Sequence, residues 1–287
     1  MRVFVTGVSG QLGHDVVAEL QRRNIECKGV SSKELNITDP QAVSAMLKAY
    51  NPDAVIHCAA WTNVDGAEDE ENKPKVYAVN TKGTENIASV CKELGCKMLY
   101  ISTDYVFSGG GGEPWKPDCK EYAPLNYYGE TKLGGELAVS SMLEKYFIVR
   151  IAWVFGANGK NFVKTMLNVG RNHDTVRVVN DQIGTPTYTL DLARLLCDMI
   201  LTEKYGCYHA TNEGGYISWY DFCCEIYRMA GLTTKIVPVT TAEYGLSKAK
   251  RPFNSRLDKA KLADEGFVPL PGWRDALERY LKETGEL

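Results

Sequence analysis

Short runs of residues that are apolar at almost every position alternate with amphipathic segments through the first half of the chain. The run at 54–60, Ala-Val-Ile-His-Cys-Ala-Ala, offers apolar side chains to both faces of a strand. Such strands have to be covered on both sides, which is typical of a parallel sheet between two layers of helices. Since parallel neighbours are joined by right-handed crossovers, the alternation predicts a doubly wound, Rossmann-type α/β domain.

The predicted elements follow one another regularly up to residue 151 and less regularly after it. Strands are expected at 2–6, 26–30, 54–60, 97–102 and 146–151, and later at 175–180, 207–210 and 235–239. Helices are expected at 11–24, 40–50, 75–94 and 125–142, and later at 161–169, 190–201, 218–230 and 273–283. Asp39 before Pro40 is typical of a helix N-terminus. Residues 1–152 are expected to form the dinucleotide-binding domain, which also receives 175–212. Residues 153–287 are expected to form mainly a smaller, interleaved substrate-binding region.

The composition excludes several classes of function. Lys and Arg total 33 against 36 Asp and Glu, a net charge of −3, whereas a general nucleic-acid binder carries a basic excess. No stretch approaches the roughly 18 apolar residues of a membrane helix, and the early glycine turn leaves no room for a signal peptide. The nine cysteines form no CxxC pair, and the four histidines are scattered, so reduced thiols and no metal site are expected. We therefore expect a soluble, cytoplasmic protein without nucleic-acid or membrane partners.

A glycine-rich turn, Thr-Gly-Val-Ser-Gly-Gln-Leu-Gly, connects the first predicted strand to the first helix. Its glycines are Gly7, Gly10 and Gly13. Glycine at this spacing permits a tight turn and lets backbone amides and the helix N-terminus approach a pyrophosphate. In this strand–turn–helix context the motif predicts a dinucleotide site. The alternative is a structural glycine turn.

The residues after the second strand bear on which dinucleotide binds. An NAD site usually places a carboxylate there to hold the ribose hydroxyls. Ser31, Ser32 and Lys33 stand there instead, so hydroxyls and an ammonium are available for a 2′-phosphate. This pattern favours NADPH. Because Glu34 follows directly, NADH stays open.

Tyr128 and Lys132 are four residues apart on a predicted helix, so they share one face. An ammonium beside a phenol favours the ionised phenolate, and we expect Lys132 to lower the pKa of Tyr128 below its usual value of about 10. Such a tyrosine exchanges protons with a carbonyl oxygen. Thr103 follows the strand at 97–102, at the edge where ligands bind in open α/β sheets. The alternatives are a structural helix pair and a turn-capping threonine.

These motifs together resemble the extended short-chain dehydrogenase/reductase superfamily over essentially the whole chain. More specific segments are STDYVF at 102–107, YGETKL at 128–133, WVF at 153–155, NF at 161–162, DQIGTPT at 181–187 and RPFNSRL at 251–257. In this order they are similar to the dTDP-4-dehydrorhamnose reductase family. The resemblance implies reduction of the 4-keto group of dTDP-4-dehydro-L-rhamnose to dTDP-L-rhamnose by NADPH, with NADH as the alternative, in a monomer or homodimer.

The resemblance also implies roles for individual residues. Thr103, Tyr128 and Lys132 would be catalytic, with Tyr128 protonating the sugar oxygen and Lys132 also holding the nicotinamide ribose. The implied cofactor-binding residues are Gly7, Gly10, Gln11, Leu12, Gly13, Ser31, Asn36, Ile37, Ala60, Trp61, Thr62, Asn80, Tyr128 and Lys132. The implied substrate-binding residues are Thr103, Asp104, Val106, Trp153, Asn161, Phe162, Gln182, Arg251, Asn254 and Arg256. Among them, Arg251, Asn254 and Arg256 suit a diphosphate, since guanidinium groups match phosphate oxygens.

Other functions are compatible with part of this pattern. A nucleotide-sugar 4,6-dehydratase needs a carboxylate after Thr-Asp as its base, but Tyr105 stands there. An epimerase keeps its NAD bound, so retention of cofactor on dialysis distinguishes it. A non-catalytic regulatory subunit, like that of eukaryotic methionine adenosyltransferase, also resembles this family. The complete set of Thr103, Tyr128 and Lys132 favours the reductase.

Overall fold

A six-stranded parallel sheet forms the centre of the molecule. The computed structural model describes every residue from Met1 to Leu287. The strands are β1 (Arg2–Thr6), β2 (Glu26–Val30), β3 (Ala54–His57), β4 (Lys97–Thr103), β5 (Tyr146–Ile151), β6 (Val154–Phe155), β7 (Thr175–Val179), β8 (Ile183–Gly184), β9 (Thr187–Tyr188), β10 (Gly206–His209), β11 (Ile217–Ser218) and β12 (Lys235–Val239). In the main sheet they run in the order β10-β5-β4-β3-β1-β2. All neighbours there are parallel, so the predicted sheet is confirmed.

Helices cover both faces of this sheet. They are α1 (Gln11–Arg22), α2 (Pro40–Tyr50), α3 (Lys73–Tyr77), α4 (Gly83–Leu94), α5 (Tyr127–Met142), α6 (Phe162–Asn172), α7 (Thr189–Ile200), α8 (Trp219–Met229), α9 (Thr241–Tyr244), α10 (Ala260–Asp264) and α11 (Trp273–Glu283). A π-helical segment, Ala78–Lys82, joins α3 to α4. None of the helices combines the length and the apolar composition that crossing a membrane requires.

Successive residues of the central strands enter two different hydrophobic cores. Val3 and Val5 of β1 pack with α1 and α7 on one face, whereas Phe4 packs with α2, α4 and α5 on the other. In β3, Ile56 and Val55 divide between the same two cores. Burial on both faces explains why these strands carry apolar residues without alternation. It also leaves the strand ends as the place where polar side chains gather.

A third hydrophobic core lies outside the sheet and joins α6, α8 and α11. Residues 175–212 are expected to join the first domain, but only one strand among them enters the main sheet. Gly206–His209 enters the main sheet beside β5, but Thr175–Val179 pairs with Lys235–Val239 in a separate two-stranded sheet. The physical reason is that Val176 and Val178 of this strand pack into the third core, while Thr175 and Arg177 are exposed.

A buried ion pair attaches α5 to β5. Arg150 is fully buried, and its guanidinium donates to both carboxylate oxygens of Glu136 at 2.8 and 2.7 Å. The same guanidinium also donates to the Pro117 carbonyl and the Tyr122 hydroxyl, both at 3.1 Å. These bonds compensate for the loss of water around both charges. They hold in place the helix that carries Tyr128 and Lys132.

We expect Arg150→Met to lower the free energy of unfolding by about 3–5 kcal/mol, because the Glu136 carboxylate would stay buried without its partner. Urea unfolding followed by circular dichroism measures this loss. Arg228→Met is the matched control, since Arg228 pairs with Glu225 on the surface, where such pairs contribute less than about 1 kcal/mol. Equal losses in both variants would contradict the anchoring role.

Candidate active site

A cleft of about 840 Å³ opens at the carboxyl ends of the parallel strands. It lies where the chain order reverses in the sheet, since β1 has β2 on one side and β3 on the other. Open α/β sheets bind ligands at this point. One wall comes from the glycine-rich turn and the ends of β2, β3 and β4, and the other includes residues that follow β5.

Gly7 and Gly13 shape the floor of the cleft. Gly7 has φ of +75°, and a Cβ there would lie 2.6 Å from the Ala59 nitrogen. A Cβ at Gly13 would lie 2.7 Å from the carbonyl carbon of Gly7. Only glycine lets the turn, β3 and α1 approach this closely.

The N-terminus of α1 is free to receive an anion. Gly10 caps this helix without a side-chain hydrogen bond, and its first turn contains no acidic residue. The unpaired N–H groups and the positive end of the helix dipole therefore face the cleft. This cradle fits a pyrophosphate. Gly7, Gly10, Gln11, Leu12 and Gly13 all line the cleft, and their binding of the cofactor stays a prediction.

The end of β2 offers both hydroxyls and a carboxylate. Ser31, Ser32 and Asn36 line the cleft, with Ile37 beside them, whereas Lys33 does not line it. The Glu34 carboxylate turns back and accepts hydrogen bonds of 2.6 Å from the Ser31 N–H and hydroxyl. These bonds lower the pKa of Glu34. The local geometry therefore leaves the choice between NADPH and NADH open.

Thr103, Tyr128 and Lys132 all line the cleft. Thr103 is the last residue of β4, and its hydroxyl donates to Asp104 at 3.0 Å. Tyr128 and Lys132 lie on the first turns of α5, which begins after Asn126, whose side chain accepts from the Gly129 N–H at 2.8 Å. The four-residue spacing thus brings the phenol and the ammonium to the same cavity.

The expectation that Lys132 lowers the pKa of Tyr128 is wrong for this geometry. Burial raises the pKa of Tyr128, and the nearby Asp104 and Tyr105 raise it further. The Lys132 ammonium instead donates to the Ile101 carbonyl at 2.7 Å. Burial lowers the pKa of Lys132 to about 7, against the opposing effects of Glu136 and Cys58. At Lys132, desolvation outweighs the neighbouring charge because this side chain is buried.

Two buried polar atoms beside Thr103 have no hydrogen-bond partner in the protein. They are the Ser102 hydroxyl oxygen and Oδ2 of Asp104, and both residues line the cleft. Burial raises the pKa of Asp104 to about 6, although the neighbouring Ser255 and Thr103 hydroxyls oppose this. Unpartnered buried polar groups are rare in folded proteins. Their presence indicates that a polar ligand completes this part of the site.

An aromatic wall faces these polar groups. The rings of Trp153 and Trp219 stack with centroids 3.7 Å apart and planes at 15°, and Phe162 lies 4.5 Å from Trp219. Trp153 has φ of +52°, a backbone conformation that is uncommon for a bulky residue. The wall offers a flat apolar surface to a ring-shaped ligand.

Sequence reasoning missed several residues of the cleft as site residues, among them Trp219 and Tyr105. The Tyr105 ring meets Tyr128 edge to face, with centroids 5.7 Å apart, and its hydroxyl accepts from Arg251 at 3.2 Å. Trp219 follows the helix cap Ser218, a position that puts a side chain at a helix end. That was the available signal, but only the fold shows which cavity the helix end approaches.

Two predicted cofactor residues, Trp61 and Asn80, do not line the cleft. Ala60 and Thr62 line the cleft. Asn80 is buried, and its side chain hydrogen-bonds to the backbone of Trp61 between them. Its side chain accepts from the Trp61 N–H at 2.8 Å and donates to the Trp61 carbonyl at 3.2 Å. The Trp61 indole donates to the Asn63 carbonyl at 3.0 Å. In this structure, Asn80 therefore positions the 60–62 loop.

Five predicted substrate residues also lie outside the cleft wall, whereas Thr103, Asp104, Trp153, Phe162 and Arg251 line it. Val106 is fully buried in a small core. Asn161 caps α6 by accepting from the Lys164 N–H at 3.0 Å, and Gln182 donates to Thr241 at 3.0 Å. Each side chain has partners within the protein, and Asn161 also donates to the cleft-lining Gln11 at 3.0 Å.

The remaining two, Asn254 and Arg256, bond to each other. Arg256 donates to the Asn254 side-chain oxygen at 3.1 Å. Asn254 also donates to the Gly110 carbonyl at 3.1 Å and the Glu113 carbonyl at 2.8 Å. These contacts connect two loops beside the cleft. Of the three residues predicted to bind a diphosphate, only Arg251 reaches the cavity.

Comparison with known proteins gives the family. The model of the RmlD substrate binding domain matches residues 1–285. The chain belongs to this family. A dTDP-4-dehydrorhamnose reductase of Streptomyces griseus is 40% identical over 96% of this chain and 91% of its own.

Solved structures agree closely with this RmlD-family chain. A crystal structure of a dTDP-4-dehydrorhamnose reductase from Clostridium acetobutylicum has a TM-score of 0.95 and 40% identity, over 99% of this chain and 100% of the other. A Bacillus anthracis dTDP-4-dehydrorhamnose reductase in complex with NADP has a TM-score of 0.94 and 39% identity, over 99% of both chains.

In this RmlD-family chain we expect Gly13→Ala to weaken dinucleotide binding at least about tenfold. The new methyl group would collide with the Gly7 backbone, and overpacking typically costs about 1–3 kcal/mol. Fluorescence titration with NADPH and NADH measures the affinity. Gly112→Ala is the control, because a Cβ at Gly112 meets nothing within 4 Å. Unchanged affinity in Gly13→Ala would contradict the role assigned to the turn.

We expect Asp104→Asn to stabilise the protein above pH 6. The raised pKa of Asp104, about 6 against an ordinary 3.8, means that the folded state disfavours the carboxylate. The cost is absent below about pH 4, grows as the pH rises through 6 and then levels off. Two pKa units correspond to ~3 kcal/mol.

Urea unfolding of both proteins between pH 4 and 8 tests this dependence. The stability gain of Asp104→Asn should vanish toward pH 4. Asp118→Asn serves as the control, since Asp118 is exposed and should show no such gain. A pH-independent difference between wild type and Asp104→Asn would mean that the buried charge is not its cause.

Proposed function

We propose that this protein is a dTDP-4-dehydrorhamnose reductase. It reduces the 4-keto group of dTDP-4-dehydro-L-rhamnose to dTDP-L-rhamnose and uses a nicotinamide cofactor. The observation that carries the proposal is the convergence of Thr103, Tyr128 and Lys132 on one cleft beside a glycine cradle for a pyrophosphate. Membership in the RmlD family and relatives with this activity over nearly the whole chain support it.

The raised pKa of Tyr128 suits the reductive direction. A phenol that stays protonated at neutral pH is a proton donor in its resting form. Tyr128 therefore gives its proton to the sugar oxygen at C4, and the Thr103 hydroxyl rotates from Asp104 to donate a hydrogen bond to the same oxygen. The bound cofactor supplies the hydride. Lys132, with a pKa lowered to about 7, holds hydroxyl groups of the nicotinamide ribose.

The glycine turn and the α1 N-terminus hold the cofactor pyrophosphate through backbone amides. Asp104 accepts a sugar hydroxyl through its free oxygen, which would satisfy the buried group. Arg251, which is anchored to Asp65 at 2.6 Å, carries a positive charge at the cleft for the nucleotide diphosphate. The Trp153 and Trp219 pair supplies a flat surface for the base or the sugar ring.

NADPH is the proposed cofactor. The serine hydroxyls at the end of β2 line the cleft, and the Bacillus anthracis relative was crystallised with NADP. The Glu34 carboxylate on Ser31 is the kind of group that accepts from a free ribose hydroxyl. For this reason, NADH stays the second candidate.

We also propose that the protein works in the cytoplasm, as a monomer or homodimer. All nine cysteines have free thiols, which is typical of proteins from reducing compartments.

A dehydratase is the weaker alternative. The base position is occupied by Tyr105, whose pKa is raised by burial, so it offers no carboxylate to remove a proton next to the ketone.

We expect Tyr128→Phe to lower kcat by about 10²–10⁴-fold, the usual contribution of a positioned acid, with an unchanged Kd for NADPH. Oxidation of NADPH in the presence of dTDP-4-dehydro-L-rhamnose measures turnover, and fluorescence titration measures binding. Tyr127→Phe is the control, because the adjacent tyrosine does not line the cleft. Full turnover in Tyr128→Phe would exclude this tyrosine as the acid.

A further inference from the structure

We propose that Tyr100 is a positioning residue for Lys132, and that the face of its ring holds the lysine ammonium at the cleft. The inference rests on the proposed function only for the task of Lys132 in the reaction. The interaction itself is a property of the folded chain. Nothing in the sequence pattern marks Tyr100, which lies within β4 among apolar neighbours.

Lys132 contacts both the ring and the hydroxyl group of Tyr100. The Lys132 nitrogen lies 4.1 Å from the centroid of the Tyr100 ring, well within the roughly 6 Å range of a cation–π interaction. The Tyr100 hydroxyl donates to the Lys132 backbone carbonyl at 3.2 Å. The ammonium also donates to the Ile101 carbonyl at 2.7 Å. Ring and carbonyl thus fix the direction of the charged group.

The ring cannot move away from this position. Tyr100 is fully buried in the core beneath α4 and α5. His57 stacks on it with centroids 5.8 Å apart and planes at 21°. A Cβ at Gly135 would lie 2.8 Å from the Tyr100 ring carbon Cζ, so α5 packs onto the ring because residue 135 is glycine. The platform under the ammonium is therefore rigid.

Glu136 is the main source of negative charge near Lys132 and favours the ammonium, but it does not contact the ammonium directly. Glu136, one turn further along α5, is paired with Arg150 at 2.7 Å. Burial raises the pKa of Cys58 to about 12 and lowers that of His57 to about 3, so both are neutral near pH 7. Tyr128 is neutral as well, because burial raises its pKa. The Tyr100 ring and the Ile101 carbonyl are then the direct stabilisers of the ammonium.

This arrangement matters because the charge on Lys132 is sensitive to small changes in its surroundings. A lysine with a pKa of about 7 is about half charged at neutral pH, so a small loss of stabilisation removes most of the ammonium. A desolvated cation over an aromatic face gains an amount equivalent to about one pKa unit. The ring therefore sets how much of the enzyme carries the charged form.

Fluorinated phenylalanines at position 100 test the proposal without changing the packing. The series is Tyr100→Phe, followed by 4-fluoro-, 3,5-difluoro- and pentafluorophenylalanine introduced by stop-codon suppression. Fluorine withdraws electron density from the ring face and weakens its attraction for a cation. The cofactor-free protein is labelled with a small amine reagent across pH 5–10, and peptide mass spectrometry follows Lys132. Lys145, an exposed lysine, is the internal control.

We expect the midpoint pH of Lys132 labelling to be similar in wild type and Tyr100→Phe. It should fall stepwise with fluorination, by about one pH unit in total, while Lys145 stays constant. A Lys132 midpoint that is the same across the series would overturn the proposal, since a merely structural ring is insensitive to its electron density. Tyr100→Leu, if folded, should show the full shift. The fluorinated series decides the question if it is not.

The pH profile of NADPH binding gives a second readout. In the pentafluoro variant, its basic limb should move in the same direction as the labelling midpoint, with no change in Tyr100→Phe. Neither measurement needs turnover. A shifted midpoint in a protein without reductase activity would therefore refute the proposed function and leave the positioning role intact, whereas activity without a shift would do the reverse.

Discussion

The buried pair of Glu136 and Arg150 is the interaction on which the geometry of the cleft depends. It joins α5 to β5 through two hydrogen bonds, and α5 carries Tyr128 and Lys132 on its first turns. A charge pair in a dry interior has little tolerance for displacement, because each partner needs the other to offset its lost hydration. The same pair neutralises Glu136, so no free carboxylate lies beneath the lysine.

Burial, more than the attraction of neighbouring charges, decides the protonation states in this cleft. It keeps the phenol of Tyr128 and the thiol of Cys58 protonated, and it brings the pKa of Lys132 down to about 7. The cleft is thus prepared to donate a proton and holds two groups, Lys132 and Asp104, whose charge is sensitive near neutrality. A hydrogen-bonded ligand would supply the partners that Ser102 and Asp104 lack.

Local pattern was sufficient to predict the sheet, the glycine turn and the helix that presents Tyr128 and Lys132, because these depend on residue periodicity and on backbone conformation. It was insufficient where distant segments meet. The pKa of Tyr128 depends on burial by the whole fold, and the place of Trp219 depends on how α8 approaches Trp153. Likewise, Asn254 and Arg256 resemble anion ligands in sequence, but loops at residues 110 and 113 occupy Asn254.

Trp153 combines two demands that no other residue type meets together. Its backbone has φ of +52°, which glycine would adopt without strain, whereas its stacking on Trp219 requires a large flat ring. Glycine would relax the backbone and abolish the wall, and a smaller aromatic ring would keep the strain with less surface. Trp153 should therefore be kept when this cleft is redesigned for another nucleotide or sugar. New specificity has to be sought on the opposite side of the cleft.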